Sequence, residues 1–170
     1  MMDEGRNDLT TLEVLAMGIK AEMEAADLYN RMKEKAPCED FARKMDYLIE
    51  QEKRHEMILR RAYESQFPEV ELKVPEKSAV PTIKNVLACD TEMKELFDAA
   101  IEAEKIAQEF YRDLAKRTKD SNAKSLLEYL ASMERSHQSI LEAEYKQFEF
   151  TSFQDVDDFL SGERFMNLGP

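Results

Sequence analysis

Glu50-Gln51-Glu52-Lys53-Arg54-His55-Glu56 and, 82 positions later, Ser132-Met133-Glu134-Arg135-Ser136-His137-Gln138 contain the only two histidines of the chain, each closing a Glu-x-x-His pattern. On a helix this spacing sets a carboxylate and an imidazole one turn apart on one face, a metal-ligand spacing. The same offset of 82 carries Glu13 onto Glu95, Ile19 onto Ile101, Ala21 onto Ala103, Glu22 onto Glu104, Ala25 onto Ala107 and Tyr29 onto Tyr111. It also carries Tyr47 onto Tyr129, Leu48 onto Leu130, Ile58 onto Ile140, Leu59 onto Leu141 and Tyr63 onto Tyr145. The chain is therefore read as two copies of one unit, each holding a Glu, a Tyr and a Glu-x-x-His.

Around these residues the apolar positions recur at threes and fours. Leu12, Leu15, Ile19, Ala26 and Tyr29 form a stripe that includes Glu22, and Phe41, Met45, Leu48 and Leu59 form one that includes Glu52 and His55. Leu96, Ala100, Ala107 and Tyr111 enclose Glu104, and Leu126, Leu127, Leu130 and Leu141 enclose Glu134 and His137. Four amphipathic helices with carboxylates on their inner faces follow. Glu24, about 200° round its helix from Glu22, is expected to face water.

Glu22 and Glu52 each stand 15 residues from Pro37, as Glu104 and Glu134 each stand 15 from Lys119. In an antiparallel hairpin, residues equidistant from the turn share a height, here about 22 Å along the axis. All four carboxylates can then lie in one layer. The 23 residues from Phe67 to Cys89, with Pro68, Pro75 and Pro81, suit an extended connector. It is long enough to travel the roughly 40 Å of a bundle, so the third helix is expected to run parallel to the second.

Boundary signals complete the plan. Thr10-Thr11-Leu12-Glu13 is a capping box opening a first helix that runs to about Lys35. The second helix is expected over about 39–66, the third from Asp90 or Thr91 to Thr118, and the fourth over about 122–148. Ser152 is expected to cap a separate short helix with Phe153, Val156 and Phe159 in a stripe, closing a bundle end or meeting a second subunit. The fold class is thus all-α: a four-helix bundle from two duplicated hairpins with a long crossover, plus a short C-terminal helix. Residues 1–9 form an arm, 10–150 the bundle, and 151–170 the short helix and tail.

Composition agrees with long helices, since 170 residues include four Gly and five Pro. A net charge of −12 disfavours nucleic acid and anionic membrane surfaces, which need basic partners, and suits a cation binder. No apolar run approaches a membrane span, and a cytoplasmic protein is expected. Cys38 and Cys89 stand apart with no Cys-x-x-Cys pair, which argues against zinc ribbons and four-thiolate iron sites.

Four carboxylates and two imidazoles in one dry layer are untenable without compensating charge, because isolated buried charges cost several kcal/mol each. Two divalent cations supply it. Hard carboxylate oxygens with one imidazole per ion suit iron or manganese.

One Glu from each of the first and third helices, with Glu-x-x-His from the second and fourth, resembles the ferritin-like di-iron carboxylate proteins, an arrangement known to be general for that group. Ala-Ile-Glu-Ala-Glu-Lys-Ile-Ala-Gln-Glu-Phe-Tyr (100–111) and Glu-Gln-Glu-Lys-Arg-His-Glu (50–56) are most similar to the rubrerythrin-like family. The resemblance covers residues 10–150 and implies a metal set of Glu22, Glu52, His55, Glu104, Glu134 and His137. Glu52 and Glu134 would bridge two iron ions, with manganese or a mixed pair as the alternative. Tyr29 and Tyr111 would donate hydrogen bonds to ligand carboxylates. The implied activity is a non-haem di-iron oxidoreductase that reduces hydrogen peroxide or dioxygen, countering oxidative stress.

Two departures stand beside the resemblance. Ala107 occupies the position, three residues after Glu104, at which rubrerythrins carry a further ligand Glu, so the set is closer to the symmetric centre of bacterioferritin. No rubredoxin-type cysteine pattern accompanies the bundle, so electrons are expected from a separate carrier such as a rubredoxin-like protein. A homodimer or larger homo-oligomer is expected. Ferroxidase and iron storage, or a metal-free helical interaction module, are the alternatives.

Overall fold

The computed structural model describes residues 10–76, 91–119 and 121–161, the last ten through their backbone alone. The expected arm 1–9, Pro81 and Cys89 of the connector, and the tail 162–170 lie outside the described residues. Within them the secondary structure is four helices: α1 (Thr11–Glu34), α2 (Glu39–Gln66), α3 (Met93–Arg117) and α4 (Ser121–Ser161). No described helix is long and apolar enough to cross a membrane.

The capping box forms as expected. The Thr10 amide donates to Glu13 Oε2 at 2.8 Å, and the Glu13 amide donates to Thr10 Oγ1 at 3.3 Å. Its repeat mate caps α3, where Glu92 and Glu95 exchange the same reciprocal contacts. This puts the start of α3 at Met93, two to three residues later than the expectation from Asp90 or Thr91, because position 92 takes the role that Thr10 takes in α1. Lys35, just beyond α1, donates to the Thr91 carbonyl and ties the end of α1 to the approach to α3.

Cross-helix contacts define the topology. Tyr111 meets Glu22 and Tyr29 meets Glu104, so as α1 advances seven residues its partner on α3 retreats by seven, and the two helices are antiparallel. Lys44 meets Glu144 at 2.7 Å, Glu52 meets His137 at 2.8 Å and His55 meets Glu134 at 3.2 Å, so α2 and α4 are antiparallel as well. With α1 antiparallel to both α2 and α3, α2 and α3 run parallel, joined by the long connector. The start of that connector, Phe67 to Glu76, is non-helical. It is held by Tyr63, whose hydroxyl donates to the Glu71 carbonyl at 3.4 Å, and by Leu72 and Val74 packing on the nearby core.

The apolar interior is divided in two. At one end Leu28, Met32, Phe41, Met45, Leu48, Leu96 and Leu141 surround a fully buried Phe97, whose ring meets Phe41 edge-on at 5.7 Å and stacks on Tyr145 at 5.1 Å. At the other end Leu15, Ile19, Leu59, Tyr63, Leu127 and Leu130 pack together. Each fully buried side chain of this kind contributes about 1.5–3 kcal/mol of transfer free energy. Between the two clusters lies a layer of buried polar groups.

Two expectations are corrected. Glu24 does not face water: it is 8% exposed and lies 3.3 Å from Lys20. Leu28, one turn further on, is fully buried, so the covered arc of α1 is far wider than a single stripe. Nor does a separate short helix begin at Ser152. α4 continues through it as one helix of 41 residues to Ser161, and the 41 residues contain neither Gly nor Pro to break it.

Candidate metal centre

Glu22 on α1, Glu52 and His55 on α2, Glu104 on α3, and Glu134 and His137 on α4 all lie in the polar layer, each at most 2% exposed. The layer exists because each helix places its carboxylate between turns of Leu, Ile and Phe that form the two clusters. All six residues singled out from the sequence are brought together.

Their arrangement has two tiers. Glu52, His55, Glu134 and His137 each offer a ligand atom, and these atoms lie within 4.8 Å of one another. His55 Nδ1 is 3.1 Å from Glu52 Oε2 and 3.2 Å from Glu134 Oε1. His137 Nδ1 is 2.8 Å from Glu52 Oε1 and 3.3 Å from Glu134 Oε2. Each of these two carboxylates therefore spans both imidazoles, one oxygen toward each. Glu22 and Glu104 flank the foursome, Glu22 Oε2 at 3.6 Å from His55 Nδ1 and Glu104 Oε2 at 3.8 Å from His137 Nδ1. The two halves form equivalent pockets sharing a pair of central carboxylates.

The tyrosines cross between halves. Tyr29 donates its hydroxyl to Glu104 Oε1 and Tyr111 donates to Glu22 Oε1. The other oxygen of each flanking carboxylate, Glu22 Oε2 and Glu104 Oε2, faces an imidazole of the centre.

Hydrogen bonding inside the layer is incomplete in an informative way. Glu52 Oε1, Glu104 Oε2, Glu134 Oε1 and His137 Nδ1 are buried without a hydrogen-bond partner, although Glu52 Oε1 and His137 Nδ1 are only 2.8 Å apart. Lone pairs that converge on common points without bonding to each other are what a cation requires, and buried orphans of this kind are otherwise costly. The donor set, carboxylate oxygens with imidazole nitrogen, fits a hard to borderline divalent ion. Both Nε2 atoms are also orphaned, and the rings stack with centroids 5.5 Å apart.

Electrostatics point the same way. Burial, reinforced by the charge of Glu134, pushes the carboxyls of Glu22 and Glu104 well above the usual range. For the imidazoles burial alone would lower the pKa, but the facing carboxylates outweigh it, raising His55 to about 12 and His137 to about 9. Burial opposes ionisation of Glu134 too, yet its bonds to His137 and His55 hold it at about 2. The layer demands positive charge, and without a metal it takes protons to obtain it.

Ala21, Ala25, Ala103 and Ala107 surround a cavity of about 10 Å³ between α1 and α3, floored by Glu22, Glu104 and Glu134. The 82-residue repeat pairs these alanines, and Ala107 stands where the resemblance expects a further Glu, but neither pattern marks a cavity. Cys38 is exposed at the α1–α2 turn, and Cys89 lies outside the described residues.

Comparison with known proteins agrees with the geometry. The rubrerythrin family matches residues 13–145, a span that includes all six clustered residues and both tyrosines. A solved structure of a hypothetical protein from Pyrococcus furiosus is similar, with 35% identity and a TM-score of 0.73 over 84% of this chain and 92% of that one. No curated protein shows significant similarity. The antiparallel pairing of duplicated hairpins, the buried Glu/His layer able to bind metal, and the family match over most of the chain lead to one conclusion: the chain belongs to the rubrerythrin family.

Proposed function

We propose that this protein is a non-haem di-iron oxidoreductase that reduces hydrogen peroxide or dioxygen with electrons from an external donor. The observation that carries the reading is the reach of Glu52 and Glu134, each with one oxygen toward His55 and the other toward His137. Two carboxylates spanning two imidazoles suit a pair of adjacent ions. In this reading His55 and Glu22 would hold one ion, and His137 and Glu104 the other.

When bound, a reduced iron pair supplies the two electrons that, with two protons, convert peroxide to water. The residues of the chain do the rest. Tyr29 and Tyr111 hold the flanking carboxylates to one side, and burial with the facing Glu22 charge keeps the Tyr111 phenol protonated by raising its pKa well above the ordinary value. The apolar clusters above and below exclude bulk water and strengthen every charge interaction in the layer. Electrons come from a separate carrier, such as a rubredoxin-like protein, and the chain works as a homodimer or larger homo-oligomer in the cytoplasm.

Anaerobic titration with Fe(II), followed by a peroxide pulse under optical monitoring, tests this. A break near two ions per chain and a near-ultraviolet change on the pulse are expected. Both signals persisting in His137→Ala would sink the assignment.

Ferroxidase activity feeding iron storage is a second reading, favoured by the symmetric six-residue set with Ala107 in place of a further Glu. Storage requires a large shell, so native mass separates the two. Under half an equivalent of transition metal in protein purified without added iron would instead support a metal-free interaction module.

A further inference from the structure

The polar layer is sealed unequally. Toward either end of the bundle stand several turns of Leu, Ile, Phe and Tyr, within each hairpin the helices pack closely, and the looser seam between α2 and α4 carries long side chains such as Lys44, Tyr47, Ile140 and Glu144. Between α1 and α3 the cover is different. Ala21, Ala25 and Ala107 are half-buried and Ala103 is buried, so little more than methyl groups separates solvent from carboxylates that are almost wholly inaccessible. The cavity under these alanines has about 10 Å³, roughly the room for one water molecule. Two of the carboxylates lining it, Glu104 and Glu134, have a buried oxygen without a hydrogen-bond partner, Glu104 Oε2 and Glu134 Oε1.

The repeat gives this opening a symmetric place. The offset of 82 carries Ala21 onto Ala103 and Ala25 onto Ala107, while α1 and α3 pair so that Glu22 meets Tyr111 and Tyr29 meets Glu104. The twofold relating the halves therefore passes beside Ala25 and Ala107. An exogenous molecule arriving there stands equally close to both pockets.

We propose that the four alanines form the access window of the centre, and that Ala25 and Ala107 restrict the exogenous ligand to small linear species with a cross-section of one or two heavy atoms, such as hydrogen peroxide or dioxygen. Branched organic hydroperoxides are excluded. This rests on the functional reading above, and its test is separable from it. A helix pair spaced by alanine can open slightly for a narrow molecule, whereas a tertiary butyl group needs space that only the loss of side-chain atoms would create.

The probe is azide binding to protein loaded with Co(II), read from the visible bands of the metal. Wild type is expected to load two Co(II) per chain and shift its spectrum with azide. Ala25→Leu/Ala107→Leu should keep the metal stoichiometry and bind azide about tenfold more weakly or less. Should that pair fail to load, Ala25→Val/Ala107→Val gives the same reading with less added volume. Ala143→Leu, beside Tyr47 and Ile140 in the groove between α2 and α4, should bind azide as wild type does. In the iron-loaded protein Ala25→Gly/Ala107→Gly should raise the rate with tert-butyl hydroperoxide relative to hydrogen peroxide by about tenfold. Unweakened azide binding in the plugged pair, or loss of it in Ala143→Leu alone, would overturn the window. Two Co(II) per chain and the expected azide pattern without peroxide turnover would leave the window standing and remove the peroxidase reading. No metal loading in wild type would remove both.

Discussion

Tyr111 of α3 donates its phenolic hydrogen bond to Glu22 of α1, 89 residues away and in the other half of the repeat. Each half thus supplies the tyrosine that orients the flanking carboxylate of the other. Hydrogen-bonded partners of ligand groups typically change metal affinity by about 10–100-fold when removed. Tyr111→Phe is therefore expected to weaken one of two metal equivalents by about that factor, on the side of Glu22 and His55. Tyr29→Phe should weaken the other. Competition with a chelator, followed separately for each equivalent, checks this, and equal weakening of both by either single variant would contradict it.

The two tiers of carboxylates predict different stoichiometries. Glu52 and Glu134 face both imidazoles, so Glu52→Gln or Glu134→Gln should impair both equivalents together. Glu22→Gln, removing a group that faces His55 alone of the two imidazoles, should leave one tight equivalent per chain. Metal analysis after gel filtration distinguishes the outcomes.

Without a bound metal, stability depends on pH with a definite sign. His55 and His137 are raised to about 12 and about 9, so their contribution is complete below about 6.5 and is lost as pH rises through the folded values, His137 first. Glu22 and Glu104 are raised as well, and a carboxyl held protonated in the fold costs stability once pH exceeds its ordinary value of 4.5. Glu134, lowered to about 2, contributes above 4.5 and loses its contribution only as pH falls toward 2. Between pH 6 and 10 the remaining effects act together, so Tm of chelator-stripped protein should fall. The loaded protein should vary less. Calorimetry across that range measures it, and a Tm rising with pH in the stripped protein would mean that the carboxylates are not clustered.

Gly18 offers a test of the tyrosine from behind. A β-carbon there would stand 3.2 Å from Leu59 Cδ1 and 3.4 Å from the Tyr111 hydroxyl. The leucine methyl is the far end of a flexible side chain, and an alanine gains about 1 kcal/mol of helix propensity over glycine. Gly18→Ala should therefore leave stability within about 1 kcal/mol of wild type, in either direction. Gly18→Leu cannot be absorbed in the same way. It should displace the Tyr111 hydroxyl and reproduce the one-sided metal loss of Tyr111→Phe, on top of a marked fall in Tm.

Much of the architecture was legible before any coordinates because helical periodicity is local. Apolar stripes at threes and fours located four helices, the capping box placed the start of α1, and equal distances from two turns put four carboxylates in one layer. The length of the connector was enough to make α3 parallel to α2. Where a feature depended on how helices face one another, the residue string was silent. Glu22 and Tyr29 lie seven positions apart on one helix, about 10 Å along its axis, so they cannot meet, and it was the antiparallel contact of α1 with α3 that gave each a partner from the other repeat. Glu24 is covered because burial on α1 extends past its main stripe to Leu28. α4 runs unbroken to Ser161 because a serine inside a helix does not by itself end it, and no Gly or Pro adjoins Ser152. Local chemistry chose the six buried carboxylate and imidazole residues and their height in the bundle. The pairing of helices, a long-range packing outcome, chose which of them face each other and left the thin alanine seam above them.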